Sequence, residues 1–194
     1  PRGFRDLAGA RVAYVESSGI ESVLAQVRRN HPEIEWVPVK APSADALLAR
    51  IRAPLRRGDG LLLGADLVKP EADLVLAYDD PVGVTAAFNK NLLQRLDVEL
   101  GADFDPRAFD HQAVWNAAAS RMEMYLVSRV AQTVRIAALD LTLRFEAGER
   151  IFTESSYKYT PESLTTLGAR AGFVQRAQWI DRDALFASTL FVVP

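Results

Sequence analysis

The chain has 194 residues, 49% of them hydrophobic and 25% charged, a balance that fits a soluble globular protein and excludes a disordered or fibrous one. Its formal net charge of -2 provides no concentrated basic surface, so neither nucleic acid nor an anionic membrane is expected as a partner. With no cysteine, disulfides, thiolate nucleophiles and cysteine-based metal sites are excluded together.

The N-terminal PRGFRDLAGA lacks the apolar core of a signal peptide, and no apolar run reaches the roughly 18 residues that would cross a bilayer, so a cytoplasmic protein is expected. ARVAYV reads as a strand, and Ile20, Val23, Leu24 and Val27 recur at helical spacing in the subsequent IESVLAQVRRN. EIEWVPV is a second strand. PSADALLARIRAPLRR places Leu47, Leu48, Ile51 and Leu55 on one helical face, with Ser43 as its N-cap. After the turn RRGDG, GLLLGADLV is a short continuous apolar run, the pattern of a central strand covered on both faces. Such alternation predicts a mostly parallel sheet flanked by helices, with ligands beyond the carboxyl ends of its strands, here at GADLVK and the residues just after it.

The middle of the chain changes character. NKNLLQRLDVEL is an amphipathic helix, whereas RMEMYLVSRVAQTVRIAALDLTLRF and RIFTESSYKY are long strand-like stretches joined by the turn EAGE. Antiparallel strands interrupting a parallel sheet predict an inserted subdomain. TPESLTTLGARAGF returns to helix, with Thr160 as N-cap, Pro161 at the first helical position and Gly172 near the C-terminal end. FVQRAQWID and ASTLFVV close the sheet as two strands.

Candidate chemistry is sparse. The two histidines, His31 and His111, are far apart and lack the carboxylate spacing of a metal site, so no metal centre is expected and each is read as a surface or interface residue. Asp79 and Asp80 in AYDD could be coupled carboxylates or hold a cation, but capping of the following loop or helix is the favoured role. Met122 and Met124, at strand spacing, are core residues or the lining of an apolar slot. In FTESSYKY, alternation places Phe152, Glu154, Ser156 and Lys158 on one face and Thr153, Ser155, Tyr157 and Tyr159 on the other. A carboxylate and a hydroxyl then stand roughly 6.5 to 7 Å apart at their Cα atoms. Such a pair is common on the solvated face of an antiparallel strand, which is the favoured reading from the strand alone; the alternative is a two-point grip for a small polar ligand.

The run LLLGADLVKPEADLVLAYDDPVGVTAAFNKNLLQRL, succeeded in order by FDHQAVWN, RMEMYLVSR and GERIFTESSYKY, resembles the histidine-specific, S-adenosylmethionine (SAM)-dependent methyltransferases of ergothioneine biosynthesis, over about residues 57 to 194. The resemblance implies an α/β fold: a class I (Rossmann-like) SAM-dependent methyltransferase core, residues 1–68 and 159–194, with an inserted, partly antiparallel β substrate domain, residues 69–158. It implies SAM as methyl donor and L-histidine as substrate, trimethylated on its α-nitrogen to hercynine. It further implies that Glu154 and Ser156 hold the imidazole ring. Tyr78 is then the candidate catalytic residue, helping to hold the amino-acid head group, while Thr85, Phe88 and Met124 line the pocket. Imidazole suits the pair chemically, because one ring nitrogen can donate to a carboxylate while the other meets a hydroxyl.

Before about residue 57 the resemblance weakens. The family's glycine-rich SAM loop and the N-terminal tyrosines of its substrate pocket have no counterpart, and Glu16 is the candidate for the SAM ribose. These 194 residues are therefore expected to be part of a longer enzyme, with stretches missing at the start, near Ser17-Ser18 and near Lys40-Ala41. A methyltransferase for another amino acid and a catalytically silent amino-acid-binding protein are the two alternative readings. A monomer is expected.

Overall fold

The computed structural model describes residues 11–15, 32, 34–39 and 43–194. In chain order the described elements are β1 (Arg11–Val15), β2 (Glu35–Val39), α1 (Ala44–Arg52), β3 (Gly60–Asp66), α2 (Glu71–Tyr78), α3 (Val84–Leu100), β4 (Phe109–Asn116), β5 (Arg121–Ser128), β6 (Gln132–Ile136), β7 (Leu141–Phe145), β8 (Arg150–Tyr157), α4 (Pro161–Arg170), β9 (Val174–Ile180) and β10 (Phe186–Val192). The chain divides into two compact units, Pro1–Ala65 with Thr160–Pro194, and Asp66–Tyr159. Among the described residues no helix is long and apolar enough to cross a membrane.

In the first unit β1 and β2 pair in parallel, and the helical pattern through residues 20–27 lies outside the described residues. Ser43 caps α1 as expected, its hydroxyl accepting from the Ala46 N–H at 3.2 Å, and Leu48 and Ile51 are the buried residues of the helix. At the C-terminal end of α1, Arg52 donates to the Gly172 carbonyl at 3.2 Å and stacks over Phe173, while Arg170 pairs with Asp45 at 3.0 Å. These contacts fasten α1 to the chain around α4. A capping box between Thr160 and Ser163 opens α4, with Pro161 at its start. Gly172, at φ 82°, occupies the left-handed region after the helix, where a side chain would be strained. β3 lies beside β10 in a sheet ordered β3-β10-β9, with β9 and β10 antiparallel. The expectation that β3 is covered on both faces is not met: Leu62 is 61% exposed, and exposed and half-buried positions alternate from Gly60 to Gly64, the pattern of a strand covered on one side.

The second unit holds an antiparallel sheet ordered β4-β5-β8, a separate antiparallel pair β6-β7, and the helices α2 and α3. The stretch expected as one long strand-like segment breaks into β5, β6 and β7. Ser128 turns the chain after β5 by donating to the Val130 carbonyl at 2.8 Å, and Asp140, at φ 46°, turns it before β7. Leu93 of α3 packs with Phe104, Phe109, Leu126, Val134, Ile136 and Phe145 into a buried cluster. Phe109 and Phe145 meet edge to face, 5.6 Å apart at their centroids. This cluster seats α3 against the sheet, and so positions the residues along the sheet's helix-facing side.

Candidate functional site

β8 pairs with β5 in a register that contains one irregularity: Ser156 lies opposite Met122 and Glu154 opposite Met124, but the next pair is Phe152 with Tyr125. Thr153 is therefore an extra residue, a β-bulge, held by its hydroxyl donating to the Met124 carbonyl at 3.0 Å. One residue in excess inverts the alternation beyond it. Glu154 and Ser156 thus share a face with the buried Met122 and Met124, whereas Phe152 leaves that face and packs against Tyr125, ring centroids 5.5 Å apart. The sequence placed Phe152 beside Glu154, and the bulge is what separates them.

Ser156 stands within a chain of hydrogen bonds. The Tyr78 hydroxyl, at the end of α2, donates to Ser156 Oγ at 2.8 Å, and Lys158 Nζ donates to the same oxygen at 3.0 Å and to the Tyr78 oxygen at 2.7 Å. Lys158 also pairs with Asp66 at 2.8 Å, and Lys69 contacts the other oxygen of that carboxylate. Lys158 is only 3% exposed, so this end of the face is not the solvated surface that alternation allows. Burial pulls the Lys158 ammonium down, but its bonds to Asp66 and Tyr78 outweigh burial and hold its pKa above the ordinary lysine value. For Asp66, too, burial opposes the charge, and the two lysines overcome it, leaving the carboxyl below its usual range. The pair is thus charged, and its cation also sits 4.7 Å from the Tyr78 ring centroid.

His111, expected at a surface or interface, is instead half-buried and bonded through both ring nitrogens. Its Nε2 lies 2.8 Å from the Tyr78 carbonyl and its Nδ1 lies 2.9 Å from Asn89 Nδ2. A carbonyl only accepts and an amide nitrogen only donates, so the ring is the Nε2–H tautomer. Asn89, 4% exposed, donates to the Tyr125 carbonyl as well, at 3.1 Å. In the sequence the signal for this bracket is a polar residue one helical turn before Leu93 on the buried stripe of α3. Its partners, drawn from α2, β4 and β5, carry no such signal.

Asp80 takes the capping role: its carboxylate accepts from the Val84 and Thr85 N–H groups, at 3.0 and 2.8 Å, and opens α3. Those backbone bonds bring its pKa down to about 2. Thr85 is engaged with Asp80 through its N–H. Further along α3, Phe88, Asn89, Asn91, Leu92 and Arg95 line a cleft of about 200 Å³ with Thr153 and Glu154. Of the residues singled out in the sequence, the fold thus brings Phe88 and Glu154 to one cleft, Met124 beside Glu154 on the neighbouring strand and Tyr78 to Ser156, and ties the Thr85 N–H to Asp80. Lys158, Asp66 and His111 are the members that pattern alone did not mark as a site.

On the opposite face of the same sheet, Glu123 is 6% exposed and accepts from the Tyr125 hydroxyl at 2.5 Å, from Arg121 at 2.6 Å and from Asn116 at 3.0 Å. Those donors, the tyrosine first, bring its carboxyl down to about 2. Arg121 in turn lies over the rings of Phe152 and Tyr157.

A family model described as histidine-specific, SAM-dependent methyltransferase matches residues 22–193. Over 152 residues the chain is 49% identical to a histidine N-alpha-methyltransferase of Mycolicibacterium smegmatis, an alignment covering 78% of this chain and 47% of that protein. Over 149 residues it is 48% identical to the protein of the same name from Mycobacterium tuberculosis, covering 77% and 46%. A more distant relative, ergothioneine biosynthesis protein 1 of Schizosaccharomyces pombe, is 26% identical over 133 residues, covering 68% of this chain and 17% of that protein. The chain spans about half the length of the two bacterial relatives.

Proposed function

This chain belongs to the histidine-specific, SAM-dependent methyltransferase family, and from that membership we propose that the protein transfers methyl groups from SAM to the α-nitrogen of L-histidine, carrying it to the trimethylated betaine hercynine in ergothioneine biosynthesis. The observation that carries this reading is the pair Glu154 and Ser156 on one face of β8, the first in the cleft with Phe88, the second backed by Tyr78 and Lys158.

In this reading residues 69–158 form the substrate domain, and residues 1–68 with 159–194 contribute to a class I (Rossmann-like) core. Glu154 takes a ring N–H and Ser156 meets the second nitrogen. A ligand without these polar groups would cover the Glu154 carboxylate without a donor to meet it and leave the Ser156 O–H without an acceptor, so an apolar ring is rejected more strongly than a missing methylene would be. Phe88 lies against the ring in the cleft, and Met124, beside Glu154 on β5, adds an apolar neighbour on the same face. Tyr78 orients the substrate from the end of α2, and Thr85 shapes the start of the α3 wall. His111 has both ring nitrogens bonded within the chain and holds Tyr78 and Asn89 in place.

SAM supplies an electrophilic methyl group on a sulfonium. Among the described residues no glycine-rich strand-to-helix turn offers it a cradle, and Glu16 lies outside them, so the described residues do not define its site. What this chain contributes is orientation: the α-amine must be neutral and aimed at the methyl, and fixing the ring at two points restricts where the amine can lie.

The test is mass spectrometry of L-histidine incubated with the full-length protein and methyl-labelled SAM. Stepwise gain of labelled methyls up to the trimethylated product is expected. Equal turnover of tryptophan, or SAM binding with no transfer to histidine, overturns the proposal.

A further inference from the structure

Ser156 Oγ has two lone pairs and one hydrogen. Both lone pairs are taken, one by the Tyr78 hydroxyl and one by Lys158 Nζ. Lys158 in turn spends its three N–H groups on Asp66, Tyr78 and Ser156, so it has none left for a ligand. The only hydrogen-bonding capacity Ser156 can still offer is its own O–H, as a donor. Two residues away, Glu154 stands in the cleft. An ionised carboxylate only accepts.

We propose that Lys158 is a positioning residue that fixes the polarity of the ligand site, holding Ser156 as a donor so that the site takes a ring with one N–H, toward Glu154, and one bare nitrogen, toward Ser156. The inference rests on the histidine reading above and adds to it: the ligand is the neutral imidazole in one orientation, and the imidazolium, which donates from both nitrogens, is excluded. A carboxylate alone would select the opposite, because it attracts the cation. The charged and titratable groups around the ring position are Glu154 and Lys158 on and just after β8, Tyr78 on α2, Arg95 on α3, His111 on β4, and Asp66 at the end of β3 with its partner Lys69. β5 contributes Met122 and Met124 to this face.

The experiment is calorimetric titration of L-histidine into the full-length protein as pH is lowered, for wild type and Lys158→Met, with ring-nitrogen NMR of bound, isotope-labelled histidine. Wild-type affinity is expected to fall by about tenfold per pH unit below about pH 6.5, where the free ring becomes charged. The bound ring is expected to keep one protonated and one bare nitrogen under the same acid conditions. In Lys158→Met the fall flattens, because Ser156 regains a lone pair with which to accept the second N–H. Affinity that holds or rises on acidification, two protonated nitrogens in the bound ring, or identical pH profiles for the two proteins would overturn the proposal. If Lys158→Met does not fold, the wild-type profile and the NMR signature decide. Histidine binding with a flat profile sinks this inference alone, whereas SAM binding with no histidine binding at any pH sinks the functional reading and this inference with it.

Discussion

The ring of His111 closes the end of α2: its Nε2–H reaches the carbonyl of Tyr78, the last residue of the helix, at 2.8 Å. A C-terminal carbonyl has no partner inside its own helix, so β4 supplies one, and the same residue whose hydroxyl meets Ser156 is thereby anchored through its backbone.

Replacing His111 with alanine leaves the Tyr78 carbonyl and the Asn89 amide each short of a partner. A loss of about 1 to 3 kcal/mol in folding stability is expected, read from the denaturant midpoint. His111→Gln, which retains a donor and an acceptor, should recover part of it. Equal midpoints for His111→Ala and wild type would show that the bracket holds nothing.

Glu154→Ala removes the acceptor from the cleft while leaving the Lys158 network in place. Histidine binding is expected to weaken by about 1 to 3 kcal/mol, with SAM binding unchanged in parallel calorimetric titrations. Comparable weakening of both ligands would move Glu154 out of the histidine site.

Glu123 gives the sheet an acid-sensitive point. Its folded-state pKa, about 2 against an ordinary 4.5, is depressed, so its contribution is present above pH 4.5 and is lost as pH falls toward 2. Glu123→Gln should therefore flatten the decline of the denaturation midpoint within that window. Asp80 titrates in a similar window, from 3.8 to about 2, so part of the decline should persist in the variant.

Gly168 lies in α4, where alanine would ordinarily gain about 1 kcal/mol of helix propensity. Here a Cβ would come within 2.2 Å of the Phe191 ring, which is fully buried and cannot swing aside without repacking. Overpacking of this kind costs about 1 to 3 kcal/mol, so Gly168→Ala is expected to lower the melting temperature despite the better helix former. A raised melting temperature would mean that α4 can shift on β10 at little cost.

How much of the fold was legible in the sequence depends on how local each signal is. Ser43, Thr160 and Pro161 announced their helix starts because a cap needs only neighbouring residues. α2 went unmarked, although Pro70 with Glu71 and Asp73 after it is a helix-opening pattern. Glu154 and Ser156 could be paired by counting along one strand. Phe152 could not be placed that way, because nothing in FTESSYKY marks Thr153 as the supernumerary residue. The burial of Lys158 depends on Asp66 and Tyr78, brought to it across 92 and 80 residues of chain, and neither distance has a local signature.

β8 is also the outer strand of its sheet among the described residues, and the bulge lies within it. A regular outer strand offers an evenly spaced row of backbone donors and acceptors onto which a second chain can add. At Thr153 that row is out of step, so an incoming strand that matched the residues before the bulge would be mismatched with those after it. The residue that sets Glu154 and Phe152 on different faces therefore also makes this strand a poor template for aggregation. Its removal would be felt first as a loss of solubility at high concentration.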